Sequence, residues 1–204
     1  MMMRQWIVTS VLGFGLGAGS ASMAMAQSSP SDVVSPSSPA VPATPAPEGT
    51  TSAPTETLQE YTLPQNFSFQ IPQDWNAEGT ETDRFAVITN YNSDRPEGDT
   101  PQPADIRTEV MLVDEHPSTF VDREVTAIID QAYRVHRYTT VEVDELTALR
   151  LWISDLPLEY SYQIITFVGY ASYGTARIVT YYNTQSEETD RLIEQIHDSF
   201  ELVF

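Results

Sequence analysis

Cysteine is absent from the 204 residues, and so is lysine, since all ten basic side chains are arginines. Without cysteine there is no disulfide, thiolate nucleophile, cysteine-ligated zinc, iron–sulfur cluster or lipid-bearing N-terminal cysteine. Without lysine, Walker-type phosphate loops and Schiff-base chemistry lack their amine. Positive charge is scarce overall: 29 acidic side chains face those ten arginines, giving a formal charge of −19. Such a field repels nucleic acid and anionic lipid over a Debye length of about 8 to 10 Å and favours cations or basic partner surfaces. Nucleic-acid binding is therefore not expected. Solubility in an ionic extracytoplasmic medium is the simpler reading of the charge, and specific cation binding the alternative.

A strongly apolar run long enough to span a bilayer is also missing. The stretch from Trp6 to Ala21 is diluted by Gly13, Gly15, Gly17 and Gly19 and falls short of the roughly 20 apolar residues a span requires. With Arg4 before it and Ala24-Met25-Ala26 after it, it reads as a secretory leader, residues 1–26, cleaved after Ala26. Residues 27–57, rich in proline, serine, alanine and threonine, have too little bulky apolar surface to offset the entropy of ordering, so a disordered tether is expected. Export implies periplasm, thylakoid lumen or the outside medium, with no direct membrane insertion after cleavage.

Residues 58–204 carry the folding signals. In "YTLPQNFSFQIPQDW" Phe67, Phe69 and Ile71 alternate with Ser68 and Gln70, and Pro72 closes the strand because it has no amide hydrogen to donate. "DRFAVITNYN" and "IRTEVMLVD" give two more strands around a loop from Asn92 to Asp105. A helix is expected next, with Val121, Val125, Ile128, Ile129 and Ala132 at helical spacing, Ser118 or Thr119 as cap, and Thr119 with Asp122 as capping box. Strands then follow in "YTTVEV" and "LTALRLWIS", joined at Asp144-Glu145, and in "EYSYQIITFVGY" and "ARIVTYYN", joined through "ASYGT". Bulky side chains on both faces of "YSYQIITFVGY" suit a central strand covered on both sides. A last helix, "SEETDRLIEQIHDSF", puts acidic residues at its N-terminus and Leu192, Ile193, Ile196 and Phe200 on one stripe. The expected fold is α+β: a mainly antiparallel sheet of six or seven strands with helices packed against it.

A strand of the form "FSFQIPQDW", closed by proline with tryptophan three residues later, an antiparallel sheet and a closing helix "LIEQIHDSFELVF" together resemble the PsbP-like family. That resemblance, over residues 58–204, implies an α-β-α sandwich. It also implies a non-enzymatic accessory protein on the lumenal or periplasmic side of a photosynthetic membrane, assisting assembly or stability of a complex such as photosystem II. No functional residue of that family is carried over, because no metal-binding pattern matches position by position.

Candidate chemistry is sparse. Asp114 and His116 in "VDEHP" could converge on a divalent metal, whereas Glu115 between them points to the opposite face; a strand-end histidine beside a helix cap is the simpler reading. His136, between Arg134 and Arg137, and His197, expected to flank the buried stripe of the last helix, suggest no catalysis. The long loop holds Asp94, Glu97, Asp99 and Asp105, for which weak calcium binding or a basic partner stands against a plain solvated loop; the spacing does not fit an EF-hand. Glu142, Asp144 and Glu145 read as a charged hairpin tip. Tyr160, Tyr162, Tyr170, Tyr173, Tyr181 and Tyr182 read as sheet packing, with an interface as the alternative. No catalytic, cofactor or metal residue is assigned. The favoured function is an exported binding or accessory protein with a protein partner, and the alternative an extracytoplasmic metal-binding protein or metal-dependent enzyme.

Overall fold

The computed structural model describes residues 57–92, 100–156 and 159–203. The leader and most of the tether lie outside them, as do Asp94, Glu97 and Asp99 of the long loop. Ten strands and two helices occur among the described residues: β1 (Leu58–Leu63), β2 (Phe67–Pro72), β3 (Asn76–Thr80), β4 (Phe85–Thr89), β5 (Ile106–Val113), α1 (Pro117–Asp130), β6 (Arg134–Val143), β7 (Leu146–Ser154), β8 (Tyr162–Tyr170), β9 (Gly174–Tyr182), α2 (Glu187–Asp198) and β10 (Glu201–Leu202).

Seven of the strands form one antiparallel sheet in the order β3-β4-β5-β9-β8-β7-β6. Strands consecutive in the chain lie side by side, β4 and β5 across the long connection 90–105 and the others across shorter ones, except where α1 intervenes and β9, β8 and β7 come between β5 and β6. As expected for central strands, β8 and β9 are buried on both faces. One face packs Leu151, Ile153, Ile165, Phe167 and Val179 against Phe120 and Ile128 of α1. The other packs Ile88, Val110, Ile164, Val168 and Ile178 against Ile193, Ile196 and Phe200 and against the β2 side chains. Burying each such side chain contributes about 1.5 to 3 kcal/mol. The result is the α+β sandwich read from the sequence.

The opening strand is buried as expected, with Phe67, Phe69 and Ile71 at most 2% exposed. Its place differs, since β2 belongs to a separate three-stranded sheet ordered β1-β2-β10. Pro64-Gln65-Asn66 turns the chain, with Gln65 at φ 58°, so that Leu63 pairs with Phe67. The C-terminal Glu201-Leu202 then adds to the far side of β2. This small sheet shares the second face with α2, and Phe67 meets Phe200 at 5.5 Å between ring centres.

The first helix also begins earlier than its spacing suggests. His116 is the N-cap, its Nδ1 accepting from Ser118 N–H at 3.3 Å, and Pro117 takes the first helical position. Proline there has φ preset for a helix and no amide to leave unsatisfied, which overrides the Thr119–Asp122 box. Ile129 is 65% exposed, and Ala132, at φ 57°, lies past the helix end.

Candidate functional site

The residues of "VDEHP" do not converge. Asp114 pairs with Arg84, Glu115 pairs with Arg123, and His116 uses Nδ1 to cap α1. Among the described residues no group of three or more histidine or acidic side chains could hold a metal ion. Asp105 is buried and accepts the Gln102 N–H at 2.6 Å, while Asn90 ties the loop base through Ala104 O and Ile106 N–H. Asp144 and Glu145 form the β6–β7 turn at φ 52° and 59°, the double left-handed geometry of a tight hairpin. Asp144 does more than decorate that tip, because its carboxylate accepts the buried Tyr170 hydroxyl at 2.7 Å and the Leu202 N–H at 3.2 Å. Burial and this carboxylate both push the Tyr170 phenol well above its ordinary range. Most of the tyrosines pack in the sheet as expected, with Tyr173 half-exposed.

His197 is the largest departure from the sequence reading: its side chain is fully buried rather than flanking the stripe. It bridges Thr166 Oγ1 and Thr180 Oγ1, each at 2.8 Å. Thr166 also accepts from Arg150 Nε at 2.8 Å, and Thr180 meets Thr108 Oγ1 at 2.6 Å. Arginine can only donate, so Thr166 Oγ1 accepts from it and keeps its own proton for a further bond. A neutral ring donates through one nitrogen and accepts through the other, so both threonines are satisfied in either tautomer. Arg150, its side chain 2% exposed, reaches Asp198 at the α2 end at 2.6 Å. Burial first, and the Arg150 charge second, hold His197 well below the ordinary imidazole pKa. This chain of hydrogen bonds ties four central strands to α2 and is buried up to the half-exposed Asp198, so it serves the fold.

An open arrangement lies at the start of β6. Pairing runs Val143↔Leu146 to Arg137↔Trp152, then shifts by one residue, with Val135↔Ile153 and Arg134↔Ser154. His136 is the extra residue of this β-bulge. A regular strand would turn Arg134 and Arg137 to opposite faces, but the bulge puts both on the α2 face. Arg137 lies over the Trp152 ring at 4.0 Å and 3.9 Å from Glu194. His136 Nε2 contacts Ser154 Oγ at 2.5 Å. Beside them opens a recess of about 350 Å³ lined by Arg134, His136, Ser154, Asp155, Ser161 and Gln185, with Leu156 and Tyr162. Ser154 is 4% exposed, so its hydroxyl orients the imidazole and is poorly placed as a nucleophile. Single-sequence reading could find "RVHR" as a basic cluster, but not the bulge that gathers it.

β6 also forms one edge of the large sheet. The opposite edge, β3, is approached by the small sheet, where the Cβ of an alanine at Gly79 would come within 2.5 Å of the Tyr61 hydroxyl. Along β6, Tyr138 is 74% and Val135 38% exposed. No strand pairs with its outer edge among the described residues.

No protein-family model matches the chain, and no curated protein matches it in sequence. Solved structures of similar fold include the following two. Cyanobacterial PsbP (CyanoP) from Synechocystis sp. PCC 6803 aligns with a TM-score of 0.47 at 10% identity, over 72% of this chain and 93% of that one. The Saccharomyces cerevisiae Ran-binding protein Mog1p aligns with a TM-score of 0.47 at 13% identity, over 73% of this chain and 97% of that one.

Proposed function

We propose that this chain is a non-enzymatic binding domain that acts outside the cytoplasm and docks a protein partner along the outer edge of β6. The observation that carries this reading is the ten-residue edge itself: it contains no proline and presents Tyr138 to solvent. A free edge offers a row of N–H and C=O groups to an added strand, and tyrosine supplies contact area at low entropic cost. The leader and tether read from the sequence favour the extracytoplasmic setting. The sequence resemblance to the PsbP-like family favours a photosynthetic membrane complex, approached from the lumenal or periplasmic side, as the partner. The acidic bulk of the surface suits basic partner surfaces, whereas the β6 corner suits an acidic one.

A photo-crosslinking residue in place of Tyr138 tests this in membranes of the source cell. The expected result is one reproducible crosslink to a subunit of a membrane complex, lost when Val135→Asp is added without a change in melting temperature. Crosslinks scattered over many proteins, or none, would refute docking at this edge.

A further inference from the structure

We propose that the recess at the start of β6 binds a carboxylate group, a role distinct from edge docking and not dependent on it. Three observations converge on it. The bulge concentrates Arg134, His136 and Arg137 at one corner of a protein whose formal charge is −19. Arg134 lines the recess and, with Arg191, is without an ion-pair partner among the described residues, whereas Arg84, Arg107, Arg123, Arg137, Arg150 and Arg177 each lie within ion-pair distance of a carboxylate. In a chain with 29 acidic side chains, an arginine left without one of them while facing a cavity is available for an external anion. The recess wall is also fixed: Ser154 is buried at the end of β7, and its hydroxyl holds the His136 ring through Nε2.

The chemistry of the lining selects the class of anion. A guanidinium presents a planar fork of donors that matches a carboxylate in bidentate fashion. The Ser161 hydroxyl and the Gln185 amide add neutral donors to the same wall. Asp155 also lines the recess, however, and with the overall negative field it penalises a doubly charged phosphate far more than a singly charged carboxylate. A volume of about 350 Å³ is at the small end of the range for ligand sites, and the recess is open. The carboxylate can therefore belong to a free small acid or to a polypeptide.

Isotope-edited NMR titration of the full chain distinguishes these sources. The probes are sodium acetate, acetyl-tetraalanine with a free C-terminal carboxylate, and the same peptide as its C-terminal amide, each against sodium chloride at matched ionic strength. The expected result is saturable movement of the Ser154, Asp155 and Ser161 amides with acetate and the acid peptide, and none with the amide. Tighter binding of the acid peptide than of acetate assigns the group to a polypeptide, and equal binding assigns it to a small acid. Arg134→Gln should weaken binding at least about tenfold, and Arg191→Gln, which alters an arginine that does not line the recess, should leave it unchanged. Both substitutions are at exposed or half-exposed sites and should keep the native spectrum. Shifts that follow ionic strength alone, binding of the amide as tight as the acid, or wild-type affinity in Arg134→Gln would each overturn the assignment.

Discussion

His197 should make the stability of this protein depend on pH in a defined window. In the unfolded chain its imidazole titrates near the ordinary value of 6.5, whereas in the folded protein burial and Arg150 hold the pKa well below that. Below about pH 6.5 the unfolded state therefore binds a proton that the folded state refuses. Its contribution to stability is complete above that pH and is lost as the pH falls. While the buried ring stays neutral, the loss is about 0.4 kcal/mol at pH 6.5 and about 1.4 kcal/mol at pH 5.5, approaching about 1.4 kcal/mol for each further unit. The loss ends once the pH passes the folded pKa.

Two other effects act in the same range and must be removed. Protonating carboxylates relieves self-repulsion in a chain of charge −19 and stabilises it as pH falls. The remaining ionisable side chains respond to pH as well. His197→Gln cancels both, since it removes only the buried ring. At about pH 8 this variant should cost about 1 to 3 kcal/mol, because the glutamine amide cannot reproduce both the packing and the two threonine hydrogen bonds. The measurement is urea unfolding of wild type and variant between about pH 8 and pH 5. The wild-type advantage should shrink by about 1.4 kcal/mol by pH 5.5. An advantage that stays constant across that range, or grows, refutes a neutral buried imidazole.

Other consequences are open to the same unfolding assay. Asp198→Asn should cost about 2 kcal/mol, less than the loss of a fully buried pair, because Arg150 would stay buried without its counter-charge while Asp198 itself is half-exposed. Asp144→Ala should cost about 2 to 3 kcal/mol by orphaning the Tyr170 hydroxyl and the Leu202 N–H, whereas Glu145→Gly next to it should gain about 1 kcal/mol by relieving a left-handed residue. Gly174→Ala should cost more than about 3 kcal/mol, since φ there is 99° and the new Cβ would lie 1.9 Å from the Val113 carbonyl oxygen.

The parts of the fold visible in the sequence are those in which a period and a turn agree. β6 through β9 carry strand signals parted by turns, so their antiparallel pairing could be read directly, as could the burial of β8 on both faces. β3 and β10 could not. Asn76–Thr80 has almost no apolar alternation and is a strand because β4 lies beside it, and Glu201-Leu202 is a two-residue addition to a strand more than 120 residues earlier. The separate small sheet followed from that same long-range pairing. His197 was closer to legible, because it stands four residues after Ile193 and three before Phe200, within the buried stripe rather than beside it. The three threonines that receive and extend its hydrogen bonds come from three different strands, β5, β8 and β9, and only their registers bring them to one ring.

The bulge in β6 shows why the candidate site lay beyond sequence reading even though its residues did not. Had the register set at the Asp144-Glu145 turn continued, His136 would face Ile153 and Val135 would face Ser154. That arrangement puts an imidazole against the apolar layer under α1, where Ile153 is 1% exposed, and a valine against a hydroxyl. The one-residue slip returns Val135 to Ile153 and gives Ser154 to Arg134 and His136. Matching the apolar face thus creates the basic corner, because the inserted residue carries Arg137 onto the same side as Arg134. Deleting His136 should then restore the unbulged register at the N-terminal end of β6. Arg134 would remain paired with Ser154 and the sheet would persist, but the imidazole would be gone and the recess left with one basic side chain. Acetate affinity should fall in that deletion with little loss of stability; an intact affinity would mean that the imidazole the bulge inserts takes no part in recognising the carboxylate.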